Sequence, residues 1–239
     1  MPKNIRALAN DSHSELKYQK ITDKQWSVYY YLLSISHWNE TRKETHRYVD
    51  KNKINISAAS KLLGMSRSTF YKAIEQLELY SLIFTFDNQS HYYYLPIPEV
   101  YAEANIKTIQ FLLSFRKFIG IDLLRTYLIL RKYYTLFKKE GEIKYFVKKD
   151  LVDLLGHNIK DSSIYGIVEI YLNLLENWGL LSLKANKITT PTGNYIRYSL
   201  IEAIDYSPKI ETISFEKSEL QAIGIAENDF KIFKGILKK

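Results

Sequence analysis

The chain has 239 residues, a length that suits one large domain or two smaller ones. Hydrophobic residues make up 46% of it and aromatics 14%, so a sizeable core can be buried and disorder over most of the length is excluded. The absence of cysteine excludes a disulfide scaffold, a thiol nucleophile and any cysteine-ligated zinc, and fits a reducing compartment. No apolar run approaches the roughly 20 residues of a membrane span, and residues 1–15 are too polar for a signal peptide. The expectation is a cytoplasmic protein with no membrane partner.

The net charge of +8 is uneven: residues 1–100 carry an excess of +3, residues 101–200 of +6 and residues 201–239 of −1. Ten basic residues face three acids within 116–149. Attraction to a polyanion explains such a stretch. Solubility explains it too, and so does an AT-rich genome, which raises lysine counts without functional cause.

Residues 1–21 read as an N-terminal arm. Thr22 and Gln25 have the spacing of a capping box, and Trp26, Tyr30 and Leu33 then form an amphipathic stripe, which predicts a helix. The polar, basic stretch 39–53 reads as a loop. The β-branched alternation 54–56 suits one short strand. Ser57 is placed to cap a short helix ending near Leu63, and Gly64 supplies the left-handed conformation that stops it. Ser66 then caps a longer helix with Phe70, Ala73, Ile74 and Leu77 on one face. Two helices joined through one glycine and a few turn residues cross steeply and leave the start of the second protruding. Such a start suits the major groove of DNA. Residues 82–86 and 92–95, around the polar turn Asp87, Asn88, Gln89 and Ser90, predict a β-hairpin, punctuated by Pro96 and Pro98.

The order then repeats. A long amphipathic helix over 121–137 and a polar loop over 138–142 lead to a strand over 143–147. A short helix over 149–155 is ended by Gly156, and Asp161 caps a helix over 162–178 that Gly179 stops. Residues 180–183 and 195–200 flank KANKITTPTGN, which predicts a second hairpin with a longer tip. Gly64 and Gly156 are 92 residues apart, a plausible length for one duplicated module. The tail 205–239 reads as a packing or partner segment.

Catalytic motifs are missing. No phosphate-binding GxxxxGKS/T loop occurs, and His13, His37, His46, His91 and His157 are too scattered to gather a metal. Asp150 and Asp153 are the nearest thing to a carboxylate pair, and a solvated helix start accounts for them. The tyrosine clusters at 29–31, 92–94 and 133–134 suit core packing better than base stacking. The expectation is a non-enzyme with no cofactor and no metal.

The segment KLLGMSRSTFYKAIEQLELYSLI resembles the winged helix-turn-helix family of DNA-binding domains. The Leu-Leu-Gly-Met-Ser turn, the Arg-Ser-Thr after it and the closing Leu-Tyr-Ser-Leu-Ile stand in the expected places. Ser60 is a departure where Ala is commoner. The resemblance covers 22–95. The layout over 22–200 is similar to that of plasmid and phage replication initiators built from two winged-helix domains, a comparison of architecture. The implied fold is mainly α with small β-hairpin wings (α+β): a first winged-helix domain over 22–98, a second over 99–204, and a C-terminal tail over 205–239.

The family geometry implies which residues meet double-stranded DNA. Arg67, at the helix start, would hydrogen-bond guanine through its fork. Ser66, Ser68 and Thr69 would bond phosphate or base edges, although capping alone explains Ser66. Lys72 would meet phosphate. Tyr71 shares that outer face with Glu75, where a solvated surface is the plainer reading. Asn88 and Gln89 in the first wing suit the minor groove or its phosphates, and Lys184 and Lys187 in the second suit phosphate. Arg125, Lys132 and Lys139 recur every seven residues, as a backbone-contacting stripe or as the wet side of their helix. The implied function is replication initiation or origin binding, with a transcriptional regulator as the alternative. Self-association, or host replication proteins recruited by the tail, are the further partners expected.

Overall fold

The computed structural model describes residues 4–8, 21–38, 46–86, 91–96, 101–140, 144–191 and 193–205. They divide into two compact units, one running through Ile121 and the other starting at Asp122. Helices predominate, and the strands form small antiparallel sheets. The tail beyond Asp205 lies outside the described residues.

The first unit contains β1 (Asn4–Leu8), α1 (Asp23–Ile35), β2 (His37–Trp38) and β3 (His46–Asp50). A single 3-10 turn (Lys51–Lys53) leads to α2 (Ile56–Leu62) and α3 (Arg67–Leu79), then β4 (Tyr92–Pro96), β5 (Tyr101–Asn105), α4 (Ile106–Ser114) and α5 (Arg116–Ile119). The expected boundary at 98/99 moves to Ile121 because β5 pairs antiparallel with β1 and α4 packs on α1. Part of the supposed N-terminal arm is thus a sheet strand.

Helix α1 begins as its spacing predicts, with Gln25 Oε1 accepting from the Thr22 amide at 2.7 Å. It is not amphipathic, however. Residues 26–30 and 32–34 are all buried, because α3, α4, β1 and β3 surround it. A helix covered on every side is apolar all round. Trp26, Tyr29 and Tyr30 pack ring on ring at 5.4–5.7 Å, so these tyrosines serve the core.

Two sequence expectations fail next to each other. Residues 54–56 form no strand, since the Asn55 side chain accepts from the Ala58 amide at 3.0 Å and starts α2 there. The strand is β3 instead, inside the supposed loop. It alternates inward and outward, but one inward position is Arg47, which hides the hydrophobic period. The expected hairpin over 82–95 is also rearranged. β4 pairs with β3 along its length, and residues 82–86 contribute one bridge, Phe84 to Tyr94.

The second unit contains α6 (Asp122–Glu140), β6 (Lys144–Val147), α7 (Lys148–Leu154), α8 (Ser162–Asn177), β7 (Leu181–Thr190) and β8 (Gly193–Ala203). Its core joins Leu124, Tyr127 and Leu128 of α6 to Val168, Leu172 and Leu175 of α8 and to Trp178. Asp161 caps α8 as expected, accepting from the Ser163 amide at 3.0 Å. The hairpin tip is short rather than long, because residues 184–190 continue β7 and pair with 193–199. Solvent on both faces of that ribbon removes any hydrophobic period. In each unit a strand after the helix pair returns to the strand before it: β4 pairs with β3 and is bridged by Phe84 on its other side, and β8 pairs with β6 and with β7.

Both helix pairs turn at a left-handed glycine, Gly64 (φ +57°) and Gly156 (φ +78°). The carbonyl just before each glycine is held by an arginine. Leu63 O accepts from Arg116 Nη1, whose Nε also donates to Ser27 Oγ at 2.9 Å. Leu155 O accepts from Arg125 Nη2 at 3.0 Å. This corrects the sequence expectation for Arg125, which is 7% exposed and cannot belong to an outward stripe with Lys132. It sits on a part of α6 that is buried all round, and only its pairing makes that tolerable. Asp122 Oδ1 takes Arg125 Nη1 at 2.6 Å, and Asp122 Oδ2 lies 2.7 Å from His157 Nε2.

Two predictions follow from these turns. Gly64→Ala should cost about 1–2 kcal/mol for the left-handed backbone alone, and more because the new methyl stands 2.8 Å from Lys117 Cγ. Gly156→Ala meets nothing within 4 Å and should carry the backbone cost only. Urea denaturation of both variants compares them, and equal losses would show that Lys117 simply moves aside.

The second concerns acid. Burial pushes the Asp122 carboxyl up, but the His157 hydrogen bond and the Arg125 charge outweigh it and hold the group below the usual carboxylate range. Its stabilisation is therefore complete above the unfolded carboxyl value and lost as pH falls through the folded one, below about pH 4. Asp122→Asn should cost about 3 kcal/mol at neutral pH and flatten that acidic limb. Urea midpoints measured at pH 7 and at decreasing pH, with Trp178 emission reporting the second unit, check both parts.

Candidate nucleic-acid interface

Helix α3 is built as its sequence predicts. Ser66 Oγ accepts from the Thr69 amide at 3.1 Å and lies 2.9 Å from Thr69 Oγ1. Phe70, Ala73, Ile74 and Leu77 are buried on one face. Arg67, Ser68, Tyr71, Lys72 and Glu75 are exposed on the other, while Thr69 is half-buried. Ser66 is exposed and acts as the cap, with its hydroxyl engaged by Thr69. The helix start therefore offers one guanidinium, one ammonium and small hydroxyls to solvent, beside the partial positive charge of the helix terminus.

Beside this face lies a group that the sequence reading missed. Lys51 Nζ donates to Thr85 Oγ1 at 3.2 Å and sits 4.4 Å over the Tyr93 ring. Thr85 Oγ1 in turn donates to Glu78 Oε1 at 3.2 Å. Burial, then the charges of Glu78 and Tyr71, push the Tyr93 hydroxyl up, which joins the outer face of α3 to β4. Lys51 follows a strand that read as loop, so nothing in the sequence marked it. Asn88 and Gln89 lie outside the described residues.

The second unit gathers its predicted residues less well. Lys184 and Lys187 are both exposed on β7, but their spacing in a strand puts them on opposite faces of the ribbon. Lys184 pairs with Ser199, and Lys187 with Ile196. The residue that does share the Lys184 face is Arg197, opposite Asn186, with its guanidinium 4.7 Å over the Tyr145 ring. Arg197 is placed on that face only by the pairing of β8 with β7, which no hydrophobic period in the sequence marks. Lys132 is half-buried, with Nζ 5.4 Å over the Tyr133 ring. The Lys139 side chain lies outside what is described. On α8 the exposed residues Ser163, Gly166 and Asn173 include no base, and Glu169 is taken up by Lys148 at 2.9 Å.

Among the described residues no three His, Asp or Glu side chains converge as a metal site would require, and no described helix is long and apolar enough to cross a membrane. The outer face of α3, with Lys51 beside it, is thus the best-assembled cationic surface of the first unit, and the β7–β8 ribbon that of the second. No family model matches the chain, and no curated protein or solved structure gives a significant match to it.

Proposed function

We propose that the chain binds double-stranded DNA, with α3 as the reading helix. The observation that carries this is the exposure of Arg67, Ser68 and Lys72 at the start of a helix whose opposite face is locked into the core. In this reading each unit is a winged helix. Support comes from the shared succession of a helix, a strand, two helices across a left-handed glycine and a strand that pairs antiparallel with the one before the helix pair, β4 with β3 and β8 with β6.

Arg67 reads a base edge, Lys72 meets phosphate, and Lys51 adds a cation fixed beside Tyr93. The second unit supplies phosphate contacts from Lys184 and Arg197 on one face of its ribbon, and little base reading. Two unequal units suit an origin-binding replication initiator of a plasmid, phage or mobile element, and such a protein needs no catalytic group or cofactor. Recruitment of replication proteins then falls to the tail.

Salt titration on duplex DNA is the first test: affinity should fall steeply between 50 and 200 mM, at about 0.9 units of log–log slope per phosphate contact. Lys72→Ala should weaken all duplexes alike and lower that slope by about one unit, while Arg67→Ala should cost roughly 1–3 kcal/mol on the preferred site and relax its sequence preference. Salt-independent binding sinks the DNA reading. Equal, sequence-independent losses for the two variants sink Arg67 as a base reader. A footprint on the source replicon separates initiator from transcription regulator, repeated origin sites marking the first and a promoter palindrome the second.

A further inference from the structure

Beneath the end of α1 lies a cavity of about 220 Å³ lined by Ser34, Ile35, Ser36, His37, Trp38, Arg47 and Ile106. Arg47, on β3, is 7% exposed. Its Nε donates to Ser36 Oγ at 2.7 Å and its Nη2 to Ser36 O at 2.9 Å. No carboxylate pairs with it among the described residues. Burial accordingly pushes the guanidinium below its ordinary value, with no charge opposing that. The third nitrogen, Nη1, has no acceptor among the described residues, yet it is not sealed in like the enclosed partnerless polar atoms among them. It is the open end of a buried cation on the cavity wall.

We infer that this cavity is a binding site for a small organic carboxylate with an apolar or aromatic body, taken by the free edge of Arg47. The charge count favours a monoanion, because one guanidinium supplies a single positive charge. The donor count favours a carboxylate over a phosphate-sized anion, since beyond one Arg47 nitrogen the wall can add at most the ring N–H groups of His37 and Trp38. The hydroxyls of Ser34 and Ser36 are spent on Tyr31 O and Leu33 O, both at 2.7 Å, and Arg47 has one nitrogen left. The rest of the wall is Ile35, Trp38 and Ile106, apolar in body, with the His37 imidazole as its one further titratable group. An apolar cavity of about 150 Å³ admits benzene, so this one admits an acid of roughly ten non-hydrogen atoms. A bound carboxylate compensates a charge that otherwise stays buried without a counter-ion. It also stabilises the first unit by mass action, since the unfolded chain has no such site.

Calorimetric titration of the full chain with sodium benzoate tests this, with benzamide as the neutral isostere and inorganic phosphate as a further arm. Benzoate should bind saturably and raise the melting temperature, benzamide should bind at least tenfold more weakly, and phosphate should not compete. Arg47→Lys keeps the charge but loses the fork that holds the end of α1, and should weaken benzoate at least tenfold. Ile106→Trp fills the cavity from α4 with Arg47 intact, and should abolish binding while a circular-dichroism spectrum reports an unchanged fold. No saturable benzoate binding up to about 10 mM, where even a millimolar site would be filled, would overturn the proposal. So would equal affinity for benzamide, or binding undisturbed by Ile106→Trp. Phosphate binding more tightly than benzoate would overturn the assigned ligand class.

Discussion

The carbonyl oxygen just before the left-handed glycine is the point at which the helix pair of each unit is tied down. A helix end leaves its last carbonyls without intrahelical partners and carries partial negative charge. Buried, such an acceptor is costly unless a donor reaches it. Arg116 reaches Leu63 O in the first unit, and Arg125 reaches Leu155 O in the second. The two arginines come from different places, one from α5 behind the helix pair and one from α6 ahead of it. An aspartate stands at the first residue of the leading helix in both units. Asp122 contacts its arginine directly, and the charge of Asp23 acts on Arg116, opposing the effect of burial there. The same geometric need is met by non-equivalent residues, which is why the second turn shares so little sequence with the first.

What could be read from the sequence was what a single local rule determines. Ser66, Asp161, Gly64 and Gly156 cap and stop helices through their own side chains or their lack of one, and each does so in the structure. Phe70, Ala73, Ile74 and Leu77 declare one face by helical period and occupy the core. The failures share a different cause. β3 escaped because a buried arginine stands at one of its inward positions. The β7–β8 ribbon escaped because both of its faces meet solvent, so no apolar alternation marks it. Arg125 was misplaced because a seven-residue spacing says which residues share a face, and not whether that face is wet. Tertiary pairing decided all three. The exposed residues of α3 were legible for the same reason as the caps, since a helix with one committed apolar face has only one face left to offer.

The distribution of positive charge is also more selective than the net charge implies. The basic stretch 116–149 was the strongest electrostatic signal in the sequence, yet several of its members face inward or are already engaged. Arg116 and Arg125 hold turns. Arg131 donates to Ala203 O and pairs with Asp205 at 3.2 Å. Lys132 and Lys144 lie over the rings of Tyr133 and Phe137, and Lys148 pairs with Glu169. An engaged cation loses much of its value for a distant phosphate, because attraction that is already satisfied locally is not offered twice. The charges left to solvent, such as Arg67 and Lys72 on α3 and Lys184 and Lys187 on the ribbon, are fewer.

The enclosed arginines differ in a way that separates structure from ligand recognition. Arg47, Arg116 and Arg125 each donate to a backbone carbonyl at a helix end, so each has a structural role that would account for its presence. For Arg125 that role comes with a carboxylate at 2.6 Å, and Asp23 supplies an opposing charge for Arg116. Arg47 has neither among the described residues, although it is as deeply enclosed as Arg125. A cap alone does not require a full positive charge: a neutral amide donor satisfies a carbonyl at far lower desolvation cost. Keeping a guanidinium where an Asn or Gln would serve makes physical sense when its charge has a second use, and the cavity beside Nη1 is where that use would lie.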